Sequence, residues 1–407
     1  MLRLSHLPLF KPLKSRDFCL LWVGQIIAWT GDSIYQIGLL WLILELTGSQ
    51  SLAGLIAAVG YLPALLLGLF LGALVDTLDR RRLMMSADLL RCAVILYIPI
   101  AFSGGWLTPW QLALAAFLIS SGAALFNPAR DASVPMLVQK GELHSANSLI
   151  QTSSYAALLL GPAFAAGILA LLSLSSLFYC DAAAYLISFL TIYLIRFPTS
   201  TSEKAAFQPL KSIYAALRFT AQQPWSGQLL ILTALNNFFI MGPAIVGTAI
   251  LVKTELRLGA EAYAAIIACH AVGMLIGALL YGTLGKSLPK GKTLLTAMIF
   301  DGLTFIPLYF AANLTWAGMI FIIHSIGIPL IMVPRTSLIQ EGIPAELQGR
   351  FFALVNFTVI GMTALSSAVT GIACEAVGVR TVYVMIGIGG TLCGILGFSL
   401  KALRCRS

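Results

Sequence analysis

The sequence predicts an all-α polytopic membrane protein with twelve transmembrane helices in two six-helix, pseudo-symmetric halves. Three observations carry this. Hydrophobic residues make up 59% of the chain and charged residues 10%, with a mean hydropathy of +0.91, where a soluble domain carries roughly 25% charged residues. The 407 residues divide into about twelve continuous apolar runs near the ~20 residues that a spanning helix needs, too long and too uniform for the alternating strands of a membrane barrel. The basic residues are also sorted. Of the 25 lysines and arginines, 21 fall in the terminus, loops and tail expected on one side, three (Lys253, Arg257, Arg380) on the other, and Arg91 lies within a span. That asymmetry places both termini in the cytoplasm, as the positive-inside rule requires. The net charge of +9 therefore sets topology and excludes nucleic acid as a partner.

Helix 1 is expected over about 18–44, uncleaved because no short apolar region with a small-residue cleavage site precedes it. Gln25, Trp29, Asp32 and Gln36 share one of its faces at i, i+4, i+7 and i+11. An ionised acid at mid-bilayer costs roughly 2.5–3.5 kcal/mol on insertion scales, so Asp32 reads as a proton-coupling or substrate-cavity residue. Helix 2 (51–75) ends at Gly72-Ala73-Leu74-Val75-Asp76-Thr77-Leu78-Asp79-Arg80-Arg81-Arg82, which places acids and arginines where the chain leaves the hydrocarbon. Gly72, Asp76, Arg80 and Arg81 are read as a conformational gate. Helix 3 (83–103) carries Asp88 and Arg91 at i, i+3, close enough to pair and support that gate. Helix 4 (106–126) holds no charge and is expected to end at Asn127-Pro128, which puts Arg130 in an inside loop. Helix 5 (146–172) contains Gly161-Pro162, a site for close packing and a bend. Helix 6 (174–195) carries Asp181.

A polar stretch, 198–225, links the halves and contains an amphipathic pattern suited to the membrane surface. Helices 7–12 follow at about 226–252, 260–284, 293–312, 315–334, 351–373 and 381–401. Asp301 lies mid-span in helix 9, and Asn236, Asn237, Asn356, Thr363 and Ser367 are candidates for lining a cavity or for joining helices. His270 and His324 read as polar packing residues. The organisation is thus residues 1–197, a linker over 198–225, and residues 226–407. Gly72-Ala73-Leu74 recurs at Gly277-Ala278-Leu279, and Pro128-Ala129-Arg130…Glu142-Leu143 is echoed by Pro334-Arg335…Glu346-Leu347. The offsets at the first residues of the two echoes are 205 and 206, and 204 at Glu346-Leu347, consistent with duplication of a six-helix unit. At the same offset Asp32 falls on Asn237.

The seven cysteines form no C-x-x-C pair, so neither a disulfide framework nor a zinc site is expected. No cofactor or metal is expected. No His-Glu-x-x-His or Gly-x-Ser-x-Gly occurs, which argues against an enzyme. Asn313-Leu314-Thr315 is a glycosylation sequon by form only.

Taken together, Gly31-Asp32, Leu46-Thr47-Gly48-Ser49, Leu62-Pro63, the Gly72–Arg82 motif, Asp88-Leu89-Leu90-Arg91, Phe126-Asn127-Pro128-Ala129-Arg130, Ala146-Asn147-Ser148-Leu149 and Gly349-Arg350 resemble the major facilitator superfamily. They are similar in particular to its bacterial macrolide and enterobactin (siderophore) exporters. The resemblance implies alternating access by a functional monomer in the bacterial cytoplasmic (inner) membrane, with proton-coupled efflux of an amphipathic small molecule. A lipid or lysophospholipid facilitator of the same fold is the alternative. Membrane lipids, a small-molecule substrate and protons are the implied partners. Some positions depart from the family pattern. Asp79 stands where glycine is usual and Thr77 where arginine is common. The helix 5 antiporter motif keeps only Gly161-Pro162, with Ser148, Ala157, Ala165 and Ala166 at its other positions. The arginine that many drug/proton antiporters carry in helix 4 has no equivalent within 106–126.

Overall fold

The structure, a computed structural model, describes residues 8–67, 78–197, 217–285 and 288–406. Apolar sequence in hydrocarbon must satisfy its backbone internally, and helices do so. The apolar helices are α1 (Arg16–Thr47), α2 (Gln50–Leu66), α3 (Arg80–Ser103), α4 (Pro109–Leu137), α5 (Leu143–Leu171), α6 (Ser175–Leu194), α7 (Pro224–Glu255), α8 (Ala260–Leu284), α9 (Lys290–Phe310), α10 (Leu314–Gly342), α11 (Ala345–Val377) and α12 (Val379–Ser399). Among the described residues, eleven of these are long and apolar enough to cross a membrane, and α2 is the shorter twelfth. The all-α, twelve-helix prediction holds. Gly72 and Asp76 of the expected gate, and most of the 198–225 linker, lie outside the described residues.

Several predicted boundaries move outward. Helix 4 does not end at Pro128: α4 continues through Pro128 and Pro135 to Leu137. In the same way α10 continues through Pro329 and Pro334 to Gly342. Arg130 and Arg335 are therefore helical rather than loop residues. Both helices have 29 residues, and they start 205 positions apart, so the sequence repeat is also a repeat of helix length. Local chemistry fixes other ends. Asp79 is the N-cap of α3, its Oδ1 accepting from the Arg82 amide at 3.1 Å, which accounts for an acid in place of the usual glycine. Asn313 caps α10 by accepting from the Trp316 amide at 2.9 Å, a structural use for the sequon asparagine. α7 widens into π-helix at Pro243–Gly247 and again at Leu251–Glu255.

Packing groups the chain into two units. Unit 1 comprises Met1–Leu42 with Leu62–Phe207, and unit 2 comprises Ile43–Tyr61 with Gln208–Ser407. Unit 1 is built on a cluster around Phe18, Leu21, Met84, Phe126, Leu149 and Ile192. Unit 2 is built on one around Trp225, Leu229, Leu295, Met298, Ile339 and Phe351. The outer part of α2, Gln50–Val59, packs on α11 within unit 2. A Cβ on Gly54 would lie 2.4 Å from the Ser367 carbonyl oxygen, and one on Gly371 would lie 2.4 Å from that of Gln50. Backbone thus meets backbone, the small-residue contact that membrane helices favour. At its end, Glu375 Oε2 accepts from the Ser51 amide at 2.7 Å and from Ser49 Oγ at 2.9 Å, placing a carboxylate on a helix N-terminus. Gly54→Leu is expected to force these helices apart and to abolish a monodisperse peak in size-exclusion chromatography, whereas Gly54→Ala shifts it only partly. A normal Gly54→Leu profile would show that the crossing is not tight.

Candidate functional site

The polar residues of unit 1 converge on α1. Glycines at 24, 31 and 38, seven residues apart, bring α1 against α6. Cβ atoms built there would lie 2.2 Å from Thr191 Oγ1, 2.9 Å from Ala184 Cβ and 3.3 Å from Leu177 Cδ1, and those three residues are also seven apart. This close approach sets Asp32 beside α6, where the Tyr185 hydroxyl donates to its Oδ1. Asp32 is half-buried. Asp181 is fully buried, packed where the Gly31 side chain would be, and neither of its oxygens has a hydrogen-bond partner. From α3, the Arg91 guanidinium donates to Asp88 Oδ1. It also lies 4.3 Å from the Tyr185 ring centroid and 4.8 Å from that of Phe126, the stacked geometry that arginine adopts. Asp32, Asp181 and Arg91 lie within one another's electrostatic reach.

Gln25, Trp29, Asp32 and Gln36 fall along one face of the continuous α1, from buried Gln25 to exposed Gln36. Arg130 engages that face from α4. Its Nη1 donates to Gln25 Oε1 at 3.4 Å and to Asn127 Oδ1 at 3.1 Å, and its guanidinium lies 5.3 Å from the Trp29 ring. Arg130 lies beyond 106–126, on the continuation of α4, and faces α1. Gly161 packs on α1 as well, a Cβ there lying 2.3 Å from Ser33 Cβ, with Pro162 buried next to it. Arg80 ties α3 to α4, donating to the Ala132 carbonyl at 2.9 Å. Arg81 ties α3 to α6 through the Tyr193 carbonyl.

The candidates of unit 2 lie elsewhere. Asn237 donates to the Thr233 carbonyl of its own helix at 2.8 Å, and Asn356 is exposed. Asp301 is 2% exposed. Its Oδ2 accepts from Asn236 Nδ2 at 3.0 Å, and its Oδ1 lies 3.3 Å from His324 Nδ1. Sequence reasoning did not single out Tyr185 as a partner. The available signal for Tyr185 was its position four residues after Asp181, on the same face of α6.

A family model described as "Transmembrane secretion effector" matches residues 8–406. Macrolide efflux protein A of Streptococcus pyogenes is 26% identical over 378 residues, covering 91% of this chain and 92% of that protein. The multidrug efflux pump Tap of Mycolicibacterium fortuitum is 24% identical over 403 residues, covering 96% and 97%. Among solved structures, a bacterial homologue of the lysosomal transporter Spinster, in an inward-facing and unoccupied conformation, superposes with a TM-score of 0.75 at 14% identity, covering 97% of this chain and 98% of that one. A bacterial homologue of the iron transporter ferroportin in an inward-facing state gives 0.74 at 17% identity, covering 94% and 99%. These structures share the fold. With nearly its whole length matched, the chain belongs to the transmembrane secretion effector family of major facilitator transporters.

Proposed function

We propose that this transporter exports an amphipathic small molecule in exchange for protons, and that Asp32 is the exchange site. The observation that carries the reading is the half-buried Asp32 held by Tyr185 beside buried Asp88 and Asp181, with Arg91 as the cation in their midst. If all four were ionised, the group would hold two uncompensated negative charges in apolar surroundings, which is costly. Protons relieve that cost, and so does an arriving substrate with a positively charged group. Competition between the two for one carboxylate is the simplest form of antiport. The gate is assigned to the inner ends of α3 and α4, where Arg80, Arg81 and Arg130 bind neighbouring helices, together with Asp76 and Gly72. The efflux activity in the names of the bacterial relatives supports the outward direction. The basic residues support a multi-pass protein of the cytoplasmic membrane with both termini inside.

Everted membrane vesicles from cells producing the protein test this. With the lumen made acidic, a macrolide and a lipophilic fluorescent cation are expected to accumulate, and collapse of the pH gradient by nigericin should release them. Accumulation that persists after collapse would remove proton coupling. If neither probe accumulates but a fluorescent lysophospholipid changes leaflet, the substrate assignment is wrong.

A further inference from the structure

Unit 2 contains a buried polar cluster without a counterpart in the first half of the sequence. At the repeat offsets of 204 to 206 residues, none of His270, Asp301 and His324 falls on an acid or a histidine. The cluster is therefore not a remnant of duplication.

Its core is Asp301 on α9 facing His324 on α10, the latter 1% exposed. The Thr304 hydroxyl donates to the carbonyls of Phe300 at 3.0 Å and Asp301 at 2.9 Å. Thr304 Oγ1 therefore serves as acceptor toward His324 Nδ1, 2.9 Å away, an assignment of hydrogens made from the network. Two buried atoms then have no hydrogen bond, Asp301 Oδ1 and His324 Nε2. Lacking a proton, the pair is a carboxylate beside a neutral imidazole, one uncompensated charge deep in an apolar unit. One added proton makes it neutral overall, as imidazolium with carboxylate or as imidazole with carboxylic acid. Either form removes the desolvation cost of the bare charge.

The pair also has a route to it. His270 on α8 is only half-buried, and its ring centroid lies 5.9 Å from that of His324. The Ser325 hydroxyl donates to the Phe321 carbonyl at 2.6 Å and so accepts from His270 Nδ1 at 2.7 Å. That leaves His270 Nε2 as a proton acceptor. The polar groups that face the pair are His270 from α8 and the neutral Asn236 from α7, while Tyr383 of α12 reaches it through Phe305. Tyr383 is stacked on Phe305 at 5.6 Å, and Phe305 in turn lies 4.4 Å from the His324 ring.

We propose that Asp301 and His324, reached through His270, form a second proton-binding site, which holds one proton and is separate from the carboxyl cluster of unit 1. The proposal deepens the antiport reading, but its test is proton binding itself, so the two can fail separately. Infrared difference spectra and ¹⁵N-histidine resonances of the purified full-length protein would be followed between about pH 5 and 8, the window in which histidine-linked sites are read. With only four histidines in the chain, their resonances are separable. A protonated-carboxyl band is expected that vanishes in Asp301→Asn, persists in Asp32→Asn and moves in midpoint in His324→Gln. The His324 resonances should titrate at that same midpoint in the wild type, which needs no variant to fold. Asp301→Asn should also release one proton fewer per molecule on a step from acid to neutral pH. A His324 signal that ignores pH, or a carboxyl band unaltered in both Asp301→Asn and His324→Gln, would overturn the site. In that case gradient-driven efflux that depends on Asp32 would leave the antiport reading intact. A titrating Asp301 band in a protein whose transport ignores pH would uphold the site and sink the antiport reading.

Discussion

Asp32→Asn is expected to reduce gradient-driven accumulation in everted vesicles to the level of vesicles lacking the transporter, while the protein still inserts and purifies in normal amount. Asparagine keeps the size of the side chain and still accepts a hydrogen bond from Tyr185, the partner of Asp32 in the structure, so packing against α6 survives. It cannot exchange a proton. Substrate binding, measured by fluorescence quenching over a range of pH, should lose its dependence on pH in the same variant. Unchanged accumulation would remove Asp32 from the coupling step and shift attention to Asp181, which is buried beside it without a hydrogen-bond partner.

Arg91→Leu is expected to have the largest effect on stability. Arg91 is 4% exposed, is sandwiched between Tyr185 and Phe126, and is the cation among Asp32, Asp88 and Asp181. Removing one partner of a buried ion pair costs about 3–5 kcal/mol, because the remaining charge stays unpaired. The expected result is a steep fall in thermal unfolding temperature in detergent and loss of folded protein from the membrane. The double variant Arg91→Leu with Asp88→Leu should recover much of that stability, since removing both charges restores neutrality of the pair. It should not recover transport. Equal instability of the single and double variants would mean that the stacking on Tyr185 and Phe126, rather than the charge balance, is what Arg91 supplies.

The fold was legible because its signals are long and redundant: apolar runs, basic-residue asymmetry and a repeat at half the chain. The ends of helices were not. Pro128 and Pro334 read as helix ends, yet each lies inside a helix, since a chain entering or leaving hydrocarbon has no better way to satisfy its backbone. That single misreading placed Arg130 in a loop and hid its approach to Gln25 and Trp29. The acids of the site were visible because a charge in an apolar run is conspicuous. The partner of Asp32 was not, because Tyr185 is an ordinary helix residue until the neighbouring helices are in place. Asn236 and Asn237 were both legible as cavity or helix-joining residues, but not which of them reaches Asp301. Adjacent residues on a helix point about 100° apart, so a shift of one position exchanged a contact across helices for one within α7.

The matched seven-residue spacings of α1 and α6 also have a mechanical side. Two helices in contact at three successive levels behave as a single strut: sliding one along the other would drive Gly31 into a larger neighbour at the first step. A shared seven-residue period also wraps them gently left-handed, which resists twisting. Asp32 and Asp181 ride on this strut at a fixed separation, so the repulsion between them is constant through any rigid motion of unit 1. A working cycle can vary only what approaches the strut from outside: water, a proton, a substrate, or the guanidinium delivered by α3. The timing of charge exchange is therefore set by the neighbours of the α1–α6 strut, not by movement between its two acids.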